Sequence, residues 1–215
     1  PSLMNDPTPK FDENFIEQFS HLIRWRRDVR RFRGDAVPSE TMEKIVKLAS
    51  FSPSVGYSQP WRFMYVRDSA ARAAIKASFL TCNQAALNAY EDERASLYAR
   101  LKLAGLDQAP EHLAVFCDTE TSAGHGLGRK TMPEMLEYSA VIACHTLWLA
   151  ARAYGLGVGW ISILDPVEVK KALTPPEEWK FIAYLCIGYP QEEHLDPELA
   201  RHGWENYKDP EILVR

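Results

Sequence analysis

The sequence predicts a mixed α and β protein built around one sheet, of the α/β or α+β class. Two observations carry this. Stretches with helical apolar spacing outnumber extended ones, and the short apolar runs that read as strands are separated by helical segments. A third bounds the size: 215 residues without an internal repeat or low-complexity break suit one domain with a substantial core.

The elements follow in order. Phe11 to about Trp25 reads as an amphipathic helix, with Phe15, Phe19, Leu22 and Ile23 near helical spacing. Pro38 opens a second helix through Met42, Ile45, Val46 and Leu48, and Glu40 and Glu43 suit its positive end. The run from Phe51 to Gly56 is turn-like and stops it. Arg62–Val66 is a strand, followed by helices over Ser69–Leu80 and Gln84–Leu103. Leu113–Cys117 is a short apolar strand. Glu134 to Tyr154 is a long helix ended by Gly155, a residue that readily takes the left-handed cap conformation. Val158–Leu164 and Phe181–Ile187 complete the strands, with a short helix after Pro166.

Charge and composition exclude several classes. A net charge of −4 argues against a protein built to coat nucleic acid. No charged leader followed by an apolar stretch opens the chain, so a secretory signal is not expected. The longest apolar region, Tyr138 to Ala151, falls short of the ~20 residues that span a bilayer. Cys82, Cys117, Cys144 and Cys186 form no CxxC pair and read as small core residues in a reducing compartment, the cytoplasm. The histidines show no close ligand pairing, so no metal is expected, and His145 reads as a core residue of the long helix.

That helix has almost no polar face between Val141 and Ala151. A helix apolar all round must be covered all round. Central burial or a homodimer interface would each do so.

Arg24, Arg26, Arg27, Arg30, Arg31 and Arg33 crowd into ten residues of an otherwise acidic chain. A solvated basic face is the plain reading. Against it, the charge is local, and Trp25, Val29 and Phe32 interleave to anchor the segment to a core. Guanidinium forks suit phosphate oxygens and can offset negative charge on a reduced flavin ring. The run Gly124 to Thr131 looks like a phosphate loop but lacks the spacing of the dinucleotide or nucleotide motifs.

Three blocks now combine: Arg26-Arg27-Asp28-Val29-Arg30, Ser52-Pro53-Ser54-Val55-Gly56-Tyr57-Ser58-Gln59-Pro60-Trp61, and Gly155-Leu156-Gly157-Val158-Gly159-Trp160. In order and spacing they resemble the nitroreductase-like flavoprotein family, and more closely its oxygen-dependent, flavin-fragmenting branch. Further likeness runs through Leu101-Lys102-Leu103, Leu127-Gly128-Arg129, Leu147 to Arg152, and Ala200 to Trp204. The resemblance implies an α+β fold, with a central, mostly antiparallel sheet flanked by helices, in a homodimer. One FMN-binding domain would span 1–215, with 1–10 and 205–215 as extended arms.

The resemblance also implies a chemistry. Reduced FMN would be the substrate, O2 the co-substrate, and the products 5,6-dimethylbenzimidazole and erythrose 4-phosphate. Ordinary members of the family carry serine where this chain has Asp28, and often asparagine where it has Tyr57. Asp28 and Ser162 are therefore the expected catalytic residues. Asp28 would act as base or proton relay near ribityl C1′, and Ser162 would sit at the N5 edge. Arg26, Arg27, Asp28, Val29, Arg30, Ser54, Gln59, Ser162 and Arg201 would contact the flavin. A cover from Gln84–Leu103 would shut out nicotinamide, so a separate flavin reductase would supply the reduced flavin. The readings left standing beside this one are an NAD(P)H-dependent FMN nitroreductase or quinone reductase, and a nucleic-acid-binding module using the arginines.

Overall fold

In the computed structural model, which describes residues 8–89, 95, 97 and 104–215, the four expected strands form one sheet. They are β1 (Trp61–Tyr65), β2 (Glu111–Asp118), β3 (Gly157–Ile161) and β4 (Trp179–Gly188), in the order β1-β2-β4-β3. All three pairings are antiparallel, with Phe63 opposite Val115, Val115 opposite Ala183, and Val158 opposite Ile187. The α+β, antiparallel expectation holds.

Because side chains alternate along a strand, the central strands supply two cores. Leu113, Val115, Ala183, Leu185 and Ile187 pack on one face with Met42, Ile45 and Leu147. Ala114, Phe116, Tyr184 and Cys186 pack on the other with Ile75, Phe79, Val169 and Leu173. The helices supplying these partners are α2 (Ser39–Ala49) and, on the second face, α3 (Ser69–Asn88). A single turn, α4 (Gly105–Gln108), precedes β2, and α5 (Met135–Ala153) covers the first face beside α2. On the second face lies α6 (Pro166–Leu173), and the short α7 (Glu198–Arg201) follows β4. Each aliphatic side chain fully buried between these layers contributes about 1.5–3 kcal/mol. Cys117, Cys144 and Cys186 are buried as expected, whereas Cys82 on α3 is only half-buried; burial pushes the Cys117 and Cys144 thiols up to about 11 and about 12 and raises Cys186 as well.

Two expectations need correction. The separate helices expected over Ser69–Leu80 and from Gln84 are one helix to Asn88, because Thr81-Cys82-Asn83 contains no glycine or proline to break it. Beyond Ala89, the rest of the Gln84–Leu103 segment, with the cover assigned to it and the Leu101-Lys102-Leu103 likeness, lies outside the described residues apart from two isolated positions. His145 is exposed. It shares the outer face of α5 with Tyr138, Val141 and Ile142, at helical spacing. That face is open in one chain, so α5 is not centrally buried.

The first helix, α1 (Glu13–Trp25), is capped by Asp12, whose side chain accepts from the Phe15 amide at 2.8 Å. It buries no residue, and Phe15, Ile16, Phe19 and Ile23 all stand exposed. No described helix is long and apolar enough to cross a membrane, and no described cluster of side chains could hold a metal ion.

Candidate functional site

The arginine-rich segment is laced onto the free edge of β3. The Val29 amide donates to Val158 O at 3.0 Å, and Asp28 forms a parallel bridge to Val158. Further on, the Arg33 amide donates to Tyr189 O at 2.9 Å, and the Gln191 amide donates to Arg31 O at 3.1 Å. Phe32 is buried beneath, and its amide donates to Gln108 Oε1 at 3.0 Å. Val29 and Phe32 therefore act as anchors, whereas Trp25, the third interleaved apolar residue, stands exposed.

Glycines make this approach possible. A Cβ at Gly159 would stand 2.3 Å from Val29 O, and one at Gly157 would stand 2.6 Å from Val29 Cγ2. Neither gap admits a side chain. Gly155 does a different job: at φ +74 it takes the left-handed turn that ends α5 and sends the chain into β3.

Asp28 is the group that this arrangement places with most care. Its Oδ1 accepts from the Trp160 amide at 3.0 Å, and Arg30 Nε lies 3.6 Å from its Oδ2. The Asp28 side chain is only partly buried, with 38% of its surface exposed beside the adjoining cleft. Burial raises its pKa above the ordinary 3.8, against the Trp160 hydrogen bond and the charges of Arg30 and Arg26, which lower it; the charge of Glu198 adds to the rise. A carboxylate so placed takes up a proton more readily than one on the surface.

The cleft itself is lined by Arg26, Arg27, Asp28, Val29, Arg30 and Arg201. Its arginines divide into two kinds. Arg31 is paired with Glu192 and Glu198, Arg152 with Glu193 at 2.8 and 3.0 Å, and Arg201 with Asp196 at 3.2 Å. Arg26 and Arg27 pair with no carboxylate among the described residues. Arg26 instead lies 4.8 Å over the Trp148 ring, whose Nε1 donates to Arg27 O at 3.0 Å. Arg27 donates from Nη2 to Arg24 O, while its buried Nε has no acceptor. Burial, with the charge of Arg26 beside it, lowers the Arg27 pKa. A buried cationic donor without an acceptor is costly, and a phosphate or flavin oxygen would satisfy it. The donor set thus fits an anionic flavin.

Three expected contacts lie elsewhere. Ser54 precedes a short 3₁₀ turn at Val55–Tyr57 and accepts the Gln59 amide on its Oγ at 3.0 Å. Tyr57 and Gln59 hold left-handed backbone at φ 57 and 46, a strain that non-glycine residues tolerate only where packing imposes it. The turn is tied to α5 through the Val55 amide, which donates to Ser139 Oγ at 3.0 Å. Ser162 is exposed one residue beyond the end of β3, so the strand expected to continue to Leu164 stops before it. None of Ser54, Gln59 and Ser162 lines the cleft of a single chain. Conversely, sequence reasoning passed over Trp148, Arg152 and the acidic run Glu192, Glu193, Asp196 and Glu198, all of which do. Four acids within seven residues, in a chain with a concentrated arginine cluster, was the available signal.

The sequence pattern of the nitroreductase family matches residues 23–189, most of the chain and all of β1 to β4. The chain belongs to the nitroreductase family. Among curated relatives in or near that family, the 5,6-dimethylbenzimidazole synthase of Rhodospirillum rubrum is 55% identical over 96% of this chain and 98% of its own length. The synthase of the same name from Rhodobacter capsulatus is 45% identical over 91% of this chain and 94% of its own. Among solved structures, an oxidised iodotyrosine deiodinase bound to FMN and 3-iodo-L-tyrosine superposes with a TM-score of 0.71, covering 92% of this chain and 97% of its own at 24% identity. At that identity it shows the nitroreductase fold alone.

Proposed function

We propose that the chain fragments reduced FMN with O2, releasing 5,6-dimethylbenzimidazole, erythrose 4-phosphate and the pyrimidine part of the flavin as an oxidised third product. The observation that carries this reading is Asp28, a carboxyl held inside an arginine segment by the Trp160 amide and lining the cleft. The likeness to the two synthases over nearly the full chain supports it.

Reduced FMN, when bound, supplies the ring that reacts with O2 and the ribityl C1′ that is retained in the benzimidazole. The chain's own residues supply binding, orientation and proton movement. Arg26 and Arg27, unpaired with any described carboxylate, hold the phosphate or the electron-rich edge of the ring. Val29, fixed by its amide on Val158, supplies backbone beside the ring. Arg30 neutralises charge next to Asp28. Asp28, with its raised proton affinity, accepts the proton that leaves C1′, and the Trp160 amide fixes its direction. Ser162, two residues beyond that amide and outside the cleft of a single chain, would meet the N5 edge where the ring extends past the arginine segment. Arg201 adds a contact at the phosphate end.

The complete site belongs to a homodimer. The outer face of α5 and the apolar face of α1 are both open in one chain, while Ser54 and Gln59 lie outside its cleft. A second copy would cover those faces and add its Ser54–Gln59 turn to the flavin. The reduced flavin comes from a separate reductase in the cytoplasm.

The decisive experiment is aerobic incubation of the protein with chemically reduced FMN, with the products identified by mass. A benzimidazole product is expected. Recovery of all the flavin as intact oxidised FMN overturns the proposal. Rapid bleaching of bound FMN by NADPH alone would instead indicate a nicotinamide-dependent reductase.

A further inference from the structure

Asp28 does not have Arg30 to itself. Arg30 Nε lies 3.6 Å from Asp28 Oδ2 and 3.8 Å from Glu198 Oε2, so one cation stands between two carboxylates. The side chains of Arg30 and Glu198 are each only 12% exposed, which leaves little water to screen their attraction, while Asp28 keeps 38% of its surface open. The second oxygen of Glu198 accepts from Arg31 Nη1 at 3.2 Å and lies 3.8 Å from His202 Nε2. Arg31 is in turn shared with Glu192. Glu198 thus enters the cleft from α7, the element farthest along the chain, and competes for the guanidinium nearest the proposed base.

We propose that Glu198 is a positioning residue that draws Arg30 partly away from Asp28 and so keeps Asp28 able to take up a proton during the reaction. This rests on the reading of Asp28 as the proton-transfer group. The physical argument compares two arrangements. A guanidinium closed onto Asp28 alone would favour its charged form and make it a poor base. Sharing that cation with a second buried carboxylate weakens the compensation and adds like-charge repulsion. The groups facing Asp28 are Arg26 and Arg30 on its own segment, the Trp160 amide on β3, Cys186 on β4 and Glu198 on α7. Of these only Glu198 is a second carboxylate. Its charge acts on Asp28 in the raising direction, as the geometry requires.

Two substitutions with opposite expected effects test this. Glu198→Gln keeps the side-chain length and an acceptor for Arg31 but frees Arg30 for Asp28. Titration of the Asp28 carboxyl, followed by 13C NMR in flavin-free protein, should move to lower pH by on the order of one unit. The acid limb of product formation against pH should follow it, and Glu198→Asp should restore part of the shift. Arg31→Gln releases Glu198 onto Arg30, so the Asp28 titration should move to higher pH. Simple loosening of the cleft would move both variants in one direction. An unmoved Asp28 titration in Glu198→Gln, or shifts of the same sign in both variants, overturns the proposal. Should Glu198→Gln fail to fold, the sign of the Arg31→Gln shift decides alone. The NMR readout needs no turnover, so opposite shifts in a protein that forms no benzimidazole would sink the proposed reaction while leaving the Glu198–Arg30–Asp28 coupling intact.

Discussion

At the residue scale, Asp28 is placed where stability and chemistry pull apart. Burial lifts its pKa, so its protonated form is the one that the fold favours. The stabilising contribution of that form is fully present below the unfolded value near 3.8 and is lost as pH rises through the higher folded value. Asn mimics the neutral acid at every pH. Asp28→Asn should therefore melt at or above the wild-type temperature at pH 7 in flavin-free protein, and the two melting curves should converge as pH falls towards 4. Product formation from reduced FMN should drop by about 10²–10⁴-fold while FMN still binds, as removal of a proton-transfer group predicts. Calorimetry across pH and a product assay check the two halves. Wild-type turnover in the variant would return Asp28 to a purely structural role. The same tension appears at Arg27, whose buried Nε finds no acceptor among the described residues.

At the element scale, the site depends on how closely one segment lies against one strand. The Arg26–Arg30 run has no regular structure of its own; β3 shapes it through the Val29–Val158 and Trp160–Asp28 hydrogen bonds. Gly159 permits that contact, so Gly159→Ala should force Val29 away from the strand. The expected result is a stability loss of about 1–3 kcal/mol from overpacking. FMN affinity should fall at least tenfold with it, because Asp28 and Arg30 move with Val29. Gly34→Ala, at a position with nothing within 4 Å, is the control that should change neither. Denaturant unfolding and flavin fluorescence titration measure both effects. Unchanged affinity in Gly159→Ala would mean that the flavin does not read this segment.

At the scale of the whole molecule, two open apolar faces dominate. Phe15, Phe19 and Ile23 on α1, and Tyr138, Val141 and Ile142 on α5, are each 40% exposed or more in one chain. Contiguous patches of that kind mark interfaces. The protein should sediment at twice the chain mass at micromolar concentration. Phe19→Glu should shift it towards single chains and weaken FMN binding together with association, since a second copy would bring the Ser54–Gln59 turn. A wild-type protein that sediments as one chain and still binds FMN would remove the homodimer from the proposal.

Periodicity and composition by themselves determined the four strands, the flanking helices, the left-handed stop at Gly155 and the anchoring of the arginine segment by Val29 and Phe32. These are local properties, set by side-chain spacing and by the few residues that break helices, and they survive without knowledge of the tertiary partners. The resemblance to the nitroreductase-like family, and the departure from its usual serine, singled out Asp28 among the arginines. Only the tertiary structure decided who the neighbours of Asp28 are. The Trp160 amide and Glu198 lie more than 130 residues away along the chain, and no spacing rule brings them to one carboxyl. The same holds for the exposure of His145, which depends on which face of α5 meets the sheet. The long-range charges that surround this half-buried acid are a property of packing, and packing is where the reading of Asp28 as a base acquires its physical cause.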